Sequence, residues 1–342
     1  MTATLTRRLL LAGAGALGTM EARAQAADLQ PLYQAVKAAG ETQLVVYLPA
    51  AASYKPFFDA FTHEFPGITI SPTDLFGAAL FARLEAEQAS GKPQADIVLS
   101  GDLDFPTLSS KGWLRAYTPV GADKLPAKYI GADGKWVVWT LALVGPVVNS
   151  TAINKAGPHS WSDLTEASLR GKLAMTSATT LSTSPMALVE ALDGGVINID
   201  WVKAFAGLDP AVLNSTSAVM QAVATGQYTM APFMALVVSD NAKQKGAPVS
   251  FWYLKEGNAV VPFSSGVLAS APHPKAAELF ASWLLTDTSM KISATLGQIG
   301  TPPNAPTPAD FPANTKLFAL TGDAMQKALK DWFAGPAKLL TK

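Results

Sequence analysis

The stretch QLVVYLPAAASYKPFFDAFTHEFPGITI, residues 43–70, decides the fold of this chain. Residues 44–48 form a continuous run of apolar, strand-forming side chains, which is typical of a strand buried on both faces. From Pro56 onwards, phenylalanines recur at helical spacing until the Pro-Gly pair at 66–67 ends the helix. Residues 68–70 then begin a second strand. A strand, a helix and a second strand predict a crossover between parallel strands, and therefore an α/β sheet.

The loop that joins the first strand to the helix is the first candidate site. In open α/β sheets, ligands bind outside the carboxyl ends of the strands, which is where residues 49–54 lie. Ala51, Ser53 and Tyr54 are therefore candidate ligand contacts. The alternative interpretation is a short connection made of small residues, without a role in binding.

The composition excludes several classes of function. The 342 residues are enough for two domains, and 26 basic against 26 acidic residues give a formal net charge of zero. Because the chain has no basic field, we expect no nucleic acid partner. The absence of cysteine excludes disulfides, thiolate metal sites and cysteine nucleophiles.

The first 26 residues have the features of a cleaved export signal. Paired arginines precede an apolar run at 9–17, which is shorter than the ~20 residues that a membrane-spanning helix needs. The arginine pair fits a twin-arginine signal, although ordinary secretory signals also contain arginines. A G-x-G-x-x-G pattern at 13–18 lies in this leader and follows no strand, so it does not indicate a dinucleotide site. We expect the mature protein in the periplasm.

Two further segments supply candidate contacts on strands or directly after them. The buried run 94–99 is followed by Ser100, Gly101 and Asp102. The long strand-like run 135–148 contains Trp139 and Thr140 and is interrupted by Gly145-Pro146, where a chain could pass from one lobe to another. We expect these side chains to face the same cleft as the first loop.

The strongest chemical signal is a turn rich in serine and threonine at residues 177–185. Its hydroxyls can cap the following helix, whose N-terminus carries free N–H donors, and both favour an anionic or strongly polar ligand group. Thr180, Ser182 and Thr183 are the candidate anchors. The alternative is a plain helix cap with proline in the first turn.

Taken in order, segments of this chain resemble the substrate-binding proteins of ABC importers, in the group of ferric-ion, thiamine, polyamine and phosphonate binders (solute-binding family 1). The segments are 45–47, 57–61, 65–68, 96–98, 111–114, 149–150, 161–164, 171–174, 271–280 and 283–285. The resemblance implies a two-lobed, type II periplasmic-binding-protein fold, each lobe a mixed sheet flanked by helices. It implies one lobe of residues 27–145 plus about 256–310, a second of 146–255 plus about 311–342, and a ligand cleft between them.

The chain departs from the ferric-binding members of this group. Those proteins carry adjacent tyrosines after the strand that corresponds to 228–230, whereas residues 231–237 here read APFMALV, and the first loop has no histidine. We therefore expect no direct ferric site. Phe233 and Met234 indicate a ligand with an apolar portion, or else belong to the core.

The sequence thus predicts the solute-binding component of an ABC import system, which captures a small, organic, anionic ligand and delivers it to an inner-membrane permease. The chain lacks G-x-S-x-G, H-E-x-x-H and P-loop motifs, and its three histidines are far apart, so we expect no enzyme. We expect no cofactor, no resident metal and a monomer. The alternatives are a periplasmic binder of ferric ion or a metal chelate with the same fold, and a ligand sensor.

Overall fold

The computed structural model describes residues 29–75, 77–153 and 159–341. The predicted signal peptide therefore lies outside the described residues. The helices and strands, in chain order, are α1 (29–39), β1 (Gln43–Leu48), α2 (Lys55–Glu64), β2 (Thr69–Asp74), α3 (Ala78–Ser90), β3 (Ile97–Gly101), α4 (Phe105–Ser110), β4 (Val137–Asn149), β5 (Ala174–Met175), α5 (Thr183–Asp193), α6 (Ile199–Ala206), β6 (Ala211–Val212), α7 (Thr216–Ala224), β7 (Met230–Ala235), α8 (Leu236–Gln244), β8 (Val249–Phe251), β9 (Asn258–Val267), α9 (Pro274–Trp283), α10 (Asp287–Thr295), β10 (Gln298–Gly300), β11 (Leu317–Phe318) and α11 (Gly322–Ala334). None of the described helices is long and apolar enough to cross a membrane.

The opening unit of the chain folds as its periodicity predicts. β1 pairs in parallel with both β2 and β3, and α2 makes the crossover between β1 and β2. Leu44 and Val46 are fully buried, as are Phe57 and Phe61 on the inner face of α2. Burial of these apolar faces, at roughly 25 cal/mol per Å² of apolar surface, stabilises the unit.

Two long antiparallel strands, β4 and β9, join the two halves of one mixed sheet. The sheet order is β10-β4-β9-β3-β1-β2, and β7 and β8 pair with the second half of β4. On its other side from β1, β3 pairs with the second half of β9, at residues 263–267. Because β4 and β9 run in opposite directions, the chain passes between the halves once on each strand.

Each half of the sheet has its own apolar core. Phe57, Trp139 and Trp283 belong to the first core, whereas Phe205 and Trp332 belong to the second. The two-lobed, type II α/β fold predicted for the chain is thereby confirmed. The predicted lobe boundaries stay a prediction, since β4 and β9 run through both halves.

The structure corrects two details of the predicted strands. β4 continues through Gly145-Pro146, where the sequence predicted an interruption, and Phe233 and Met234 lie inside β7 instead of after it. The pairing of β4 with β7 shifts between Gly145 and Val147, where Pro146 and Pro232 lie. Proline donates no hydrogen bond to a strand ladder and is tolerated at such irregularities. The prolines therefore bend the pairing without ending either strand.

Candidate functional site

A cavity of about 660 Å³ lies where the two halves of the molecule meet. Its volume is within the range of small-molecule sites in proteins. The first half supplies the segment after β3, the crossing strand β9 supplies one side, and the second half supplies the loops before α5 and α7. The lining residues are Gly101, Asp102, Leu103, Asp104, Thr176, Ser177, Thr180, Leu181, Ser182, Thr183, Met186, Val212, Leu213, Asn214, Ser215, Thr216, Val261, Pro262, Phe263, Leu320 and Met325.

Asp102 connects three parts of the chain at one end of this cavity. Its buried carboxylate accepts hydrogen bonds from Trp136 Nε1 (3.0 Å), Ser264 Oγ (2.7 Å) and the backbone N–H of Gly322 (2.6 Å). Gly322 begins α11, which packs in the second core. Since protein donors occupy the carboxylate of Asp102, its first role is to hold β3, β9 and α11 together.

Asp104 has a different environment two residues further on. Asp104 accepts one hydrogen bond, from Ser100 Oγ at 2.5 Å. Ser100, a predicted ligand contact, therefore has the role of a hydrogen-bond donor to Asp104. Among the described residues Asp104 forms no salt bridge, and its side chain does not cap α4 although it precedes that helix. Burial raises the pKa of Asp104. The cavity wall thus contains a carboxylate that no protein cation neutralises.

The hydroxyl-rich turn also lines the cavity, and most of its hydroxyls are engaged within the protein. Ser182 is the N-cap of α5: its Oγ accepts from the N–H of Ser184 (3.3 Å) and donates to the carbonyl of Ser177 (2.8 Å). Thr183 Oγ1 donates to the carbonyl of Phe233 at 2.9 Å. The capping interpretation therefore holds for Ser182 in this structure, whatever else the turn binds.

The backbone of the same turn is less engaged than its hydroxyls. The N–H groups of residues 180–183 have no hydrogen-bond acceptor among the described residues. Helix N-termini attract anions, because their N–H groups and the helix dipole point the same way. The donors that the turn offers to a ligand are therefore main-chain N–H groups and the hydroxyl of the exposed Thr180.

A second helix N-terminus lines the same cavity, and the sequence analysis did not identify it. Ser215 caps α7 by accepting from the N–H of Ala218 at 3.1 Å, and Asn214 and Thr216 line the cavity beside it. The signal for it was present, since NSTS at 214–217 precedes the apolar face of α7 just as the serine-rich turn precedes α5. The N-termini of α5 and α7 thus line the same cavity.

Apolar side chains make up about half of the lining. Leu181 is 58% exposed and Val212 is 50% exposed, whereas most large apolar side chains of the described chain are covered. Both line the cavity, as does Phe263 on β9. Exposed apolar side chains that cluster at a concave site indicate a ligand with an apolar portion.

The first loop lies behind the cavity instead of lining it. The N–H groups of Ala50 and Ala51 donate to the carboxylate of Asp74 on β2, at 3.1 and 3.3 Å, so they are not available to a ligand. Ser53 is exposed in a short helix outside the cavity. Tyr54 is buried and stacks on Phe263, with ring centroids 6.1 Å apart, so it supports the wall from behind.

Four other predicted contacts are buried in the cores. Trp139 packs edge-on against Phe57, and Thr140 Oγ1 donates to the carbonyl of Ile299 at 3.1 Å. Phe233 and Met234 lie in the second half, 4% and 2% exposed, so the core interpretation applies to both. Of the predicted residues, the structure brings together at the cavity Gly101, Asp102, Thr180, Ser182 and Thr183.

The side chains at the cavity do not suit a ferric ion. Among the described residues, no three histidine, cysteine, aspartate or glutamate side chains lie close enough together to hold a metal. No tyrosine is among the described residues that line the cavity; Tyr54 stacks on the lining residue Phe263, and burial raises the pKa of Tyr54 to about 12. Its phenolate form, which a ferric site would need, is therefore disfavoured.

Two lobes joined by crossing strands, with a cavity between them, define a type II binding protein. The model of the bacterial extracellular solute-binding protein family matches residues 57–319, and the chain belongs to this family. The resemblance seen in the sequence is thereby confirmed, as is the prediction that the protein binds a solute and is not an enzyme.

Individual relatives agree with this assignment. The chain is 27% identical over 272 residues, 75% of each protein, to a probable ABC transporter periplasmic-binding protein (y4fP) of Sinorhizobium fredii. Its fold is similar to that of AfuA from Actinobacillus pleuropneumoniae with fructose-6-phosphate bound (20% identity, TM-score 0.64, 85% of this chain and 98% of AfuA). Iron-bound HitA from Pseudomonas aeruginosa is similar to the same extent (21%, TM-score 0.68, 85% and 99%). At these identities the two structures support the fold alone.

Proposed function

We propose that the chain is the periplasmic solute-binding component of an ABC import system. It captures a small organic anion in the cavity between its lobes and delivers it to an inner-membrane permease. The cavity carries the proposal, because two helix N-termini and exposed apolar side chains line a space of suitable size. The predicted export signal and the name of the Sinorhizobium relative support the periplasmic location and the permease partner.

In this proposal the ligand bridges the lobes. Its anionic group accepts hydrogen bonds from the N–H groups before α5 and α7, and its apolar part contacts Leu181, Val212 and Phe263. A ligand that contacts both lobes binds the closed form more tightly than the open form, and therefore shifts the equilibrium towards closure. β4 and β9 are the elements across which the lobes would rotate, with the lobe boundaries near those predicted.

A pair of substitutions at Thr183 tests the N–H anchor. Thr183 is the first residue of α5, a position where proline fits a helix. Thr183→Pro removes the N–H donor, whereas the control Thr183→Val removes only the hydroxyl. A hydrogen bond to a charged group contributes about 1.5–3 kcal/mol, so Thr183→Pro should weaken binding by roughly ten- to a hundred-fold beyond Thr183→Val.

The measurement requires a ligand, which a thermal-shift panel of organic acids, sugar phosphates, phosphonates, amines and metals would identify. Isothermal titration of both variants with the hit then gives the two affinities. Equal affinities would mean that the N–H groups before α5 do not hold the ligand. A panel in which only a ferric salt raises the melting temperature would contradict the organic-anion proposal as a whole.

A further inference from the structure

The cavity wall carries negative charge without a compensating cation. Its described lining includes Asp102 and Asp104 but no lysine, arginine or histidine. Protein donors occupy Asp102 on both carboxylate oxygens. Among the described residues, Asp104 has only the hydroxyl of Ser100 as a partner, at 2.5 Å, and that bond engages one of its two oxygens.

The contacts of Asp104 within the protein do not explain why a carboxylate lies in the cavity wall. Its side chain does not cap α4, and it forms no ion pair with any described residue. Lobe closure over a ligand would remove more water from its carboxylate. Burying a carboxylate without a cation or further donors is costly, so a ligand that left Asp104 unpaired would oppose closure.

The charge balance also limits the anionic part of the ligand. A phosphate or other dianion would add two negative charges to a wall that already has two carboxylates and only neutral N–H donors. A group with a single negative charge, such as a carboxylate, meets less repulsion and is satisfied by main-chain N–H groups.

We infer that the solute is a zwitterion, with a carboxylate held before α5 and α7 and an ammonium group held by Asp104. The apolar part of the solute lies between these charges, against Leu181, Val212 and Phe263. This inference rests on the proposed function: it keeps the anionic carboxylate of the proposed ligand and adds an ammonium group to it. The ammonium supplies the cation that the cavity wall lacks, and the net charge of the closed site is then smaller than with a simple anion.

Two matched ligand series test the inference by isothermal titration of the purified mature protein. One series is L-leucine, its analogue without the amine (isocaproate) and its analogue without the carboxylate (isopentylamine). The other is ε-aminocaproate, caproate and pentylamine, which differ in the spacing of the charges. In at least one series we expect the zwitterion to bind at least ten-fold more tightly than either singly charged analogue.

Substitution of Asp104 provides the second arm. Asp104→Asn keeps an acceptor for Ser100, and we expect it to weaken the zwitterion at least ten-fold while it leaves the carboxylate-only analogue within about two-fold. Asp123→Asn, at an exposed aspartate outside the cavity, removes the same charge and should change neither affinity. Unchanged melting temperatures of both variants would show that they fold.

The outcomes separate this inference from the proposed function. If the carboxylate-only analogues bind as tightly as the zwitterions, or if a dianion from the broader panel binds more tightly than both, the inference is wrong and the proposed function stands. If no organic solute binds at all, the proposed function is wrong, and the zwitterion inference with it.

Discussion

Two aspartates at the end of β3 show how neighbouring residues of one type can take different roles. Asp102 accepts three hydrogen bonds and is 4% exposed, whereas Asp104 accepts one and lines the cavity. Satisfied buried carboxylates stabilise a particular arrangement of elements, while unsatisfied ones in a cleft indicate binding. We therefore assign Asp102 to the architecture and Asp104 to the ligand.

Asp102→Ala should destabilise the protein strongly. The change leaves Trp136 Nε1, Ser264 Oγ and the N–H of Gly322 without their acceptor, and each unsatisfied buried donor costs about 1–3 kcal/mol. We expect a loss of about 3 kcal/mol or more in the free energy of unfolding, measured by urea denaturation. Asp102→Asn retains one acceptor oxygen and should be intermediate. A loss below about 1 kcal/mol for Asp102→Ala would show that water replaces the carboxylate.

At the scale of elements, α5 links the cavity to the crossing strand. Its N-terminus lies at the cavity, and near its other end the fully buried Glu190 accepts hydrogen bonds from the N–H groups of Val260 on β9 (2.8 Å) and of Leu320 (3.1 Å). Leu320 itself lines the cavity. One helix therefore connects the cavity, the crossing strand β9 and the C-terminal segment.

The buried carboxyl of Glu190 should make stability depend on pH. Burial raises the pKa of Glu190 well above its ordinary value, despite the two N–H donors. The folded state then binds the proton more tightly than the unfolded state, so this contribution is present at pH below the ordinary pKa and is lost as pH rises through the raised pKa. We expect the free energy of unfolding to decrease from pH 5 upwards.

Glu190→Gln isolates this effect. Glutamine cannot titrate, so the free energy of unfolding of this variant should vary less with pH over the same range. This holds even though glutamine offers only one of the two acceptor oxygens. Urea denaturation at several pH values gives the slope for each protein. Glu85→Gln, at an exposed carboxylate, should keep the slope of the unaltered protein. Equal slopes for all three would show that Glu190 does not titrate in this range.

At the scale of the whole molecule, two cores lie on one sheet, and the long strands β4 and β9 run through both of its halves. Each half contains a separate cluster of buried apolar side chains, and the cavity lies between the halves. Close-packed cores move as rigid units, so a change of shape concentrates at the strands that connect them. This arrangement allows the cavity to open and close without unpacking either core.

Ligand binding should therefore make the molecule more compact. We expect the radius of gyration from small-angle X-ray scattering to fall when saturating ligand from the thermal-shift panel is added. At the same ligand concentration the Thr183→Pro variant is not saturated, so its radius of gyration should change less. An unchanged radius at a concentration where titration shows full binding would mean that the ligand binds without lobe closure.

The sequence by itself determined the elements that local patterns encode. The alternation of apolar runs and helical spacing at 43–70 specified a parallel crossover, and the hydroxyl-rich turn specified the capped start of α5. These features depend on residues within a few positions of one another, where burial periodicity and capping act. The same local logic identified the loops at 100–102 and 180–183, which the cavity brings together.

Only the tertiary structure decided which side chains face the cavity. Trp139 lies on β4 and Phe233 on β7, two strands that the sequence associated with binding. β4 pairs with β7 and β9, whose residues are more than 80 positions away in the chain, and the register shifts beside Gly145 and Thr140. This pairing directs both side chains into the cores. A shift of one residue exchanges the two faces of a strand, and no local pattern fixes such a shift. The first loop likewise does not line the cavity, and the carboxylate of Asp74 on β2 accepts hydrogen bonds from its N–H groups. The start of α7 lines the cavity because the fold brings it there.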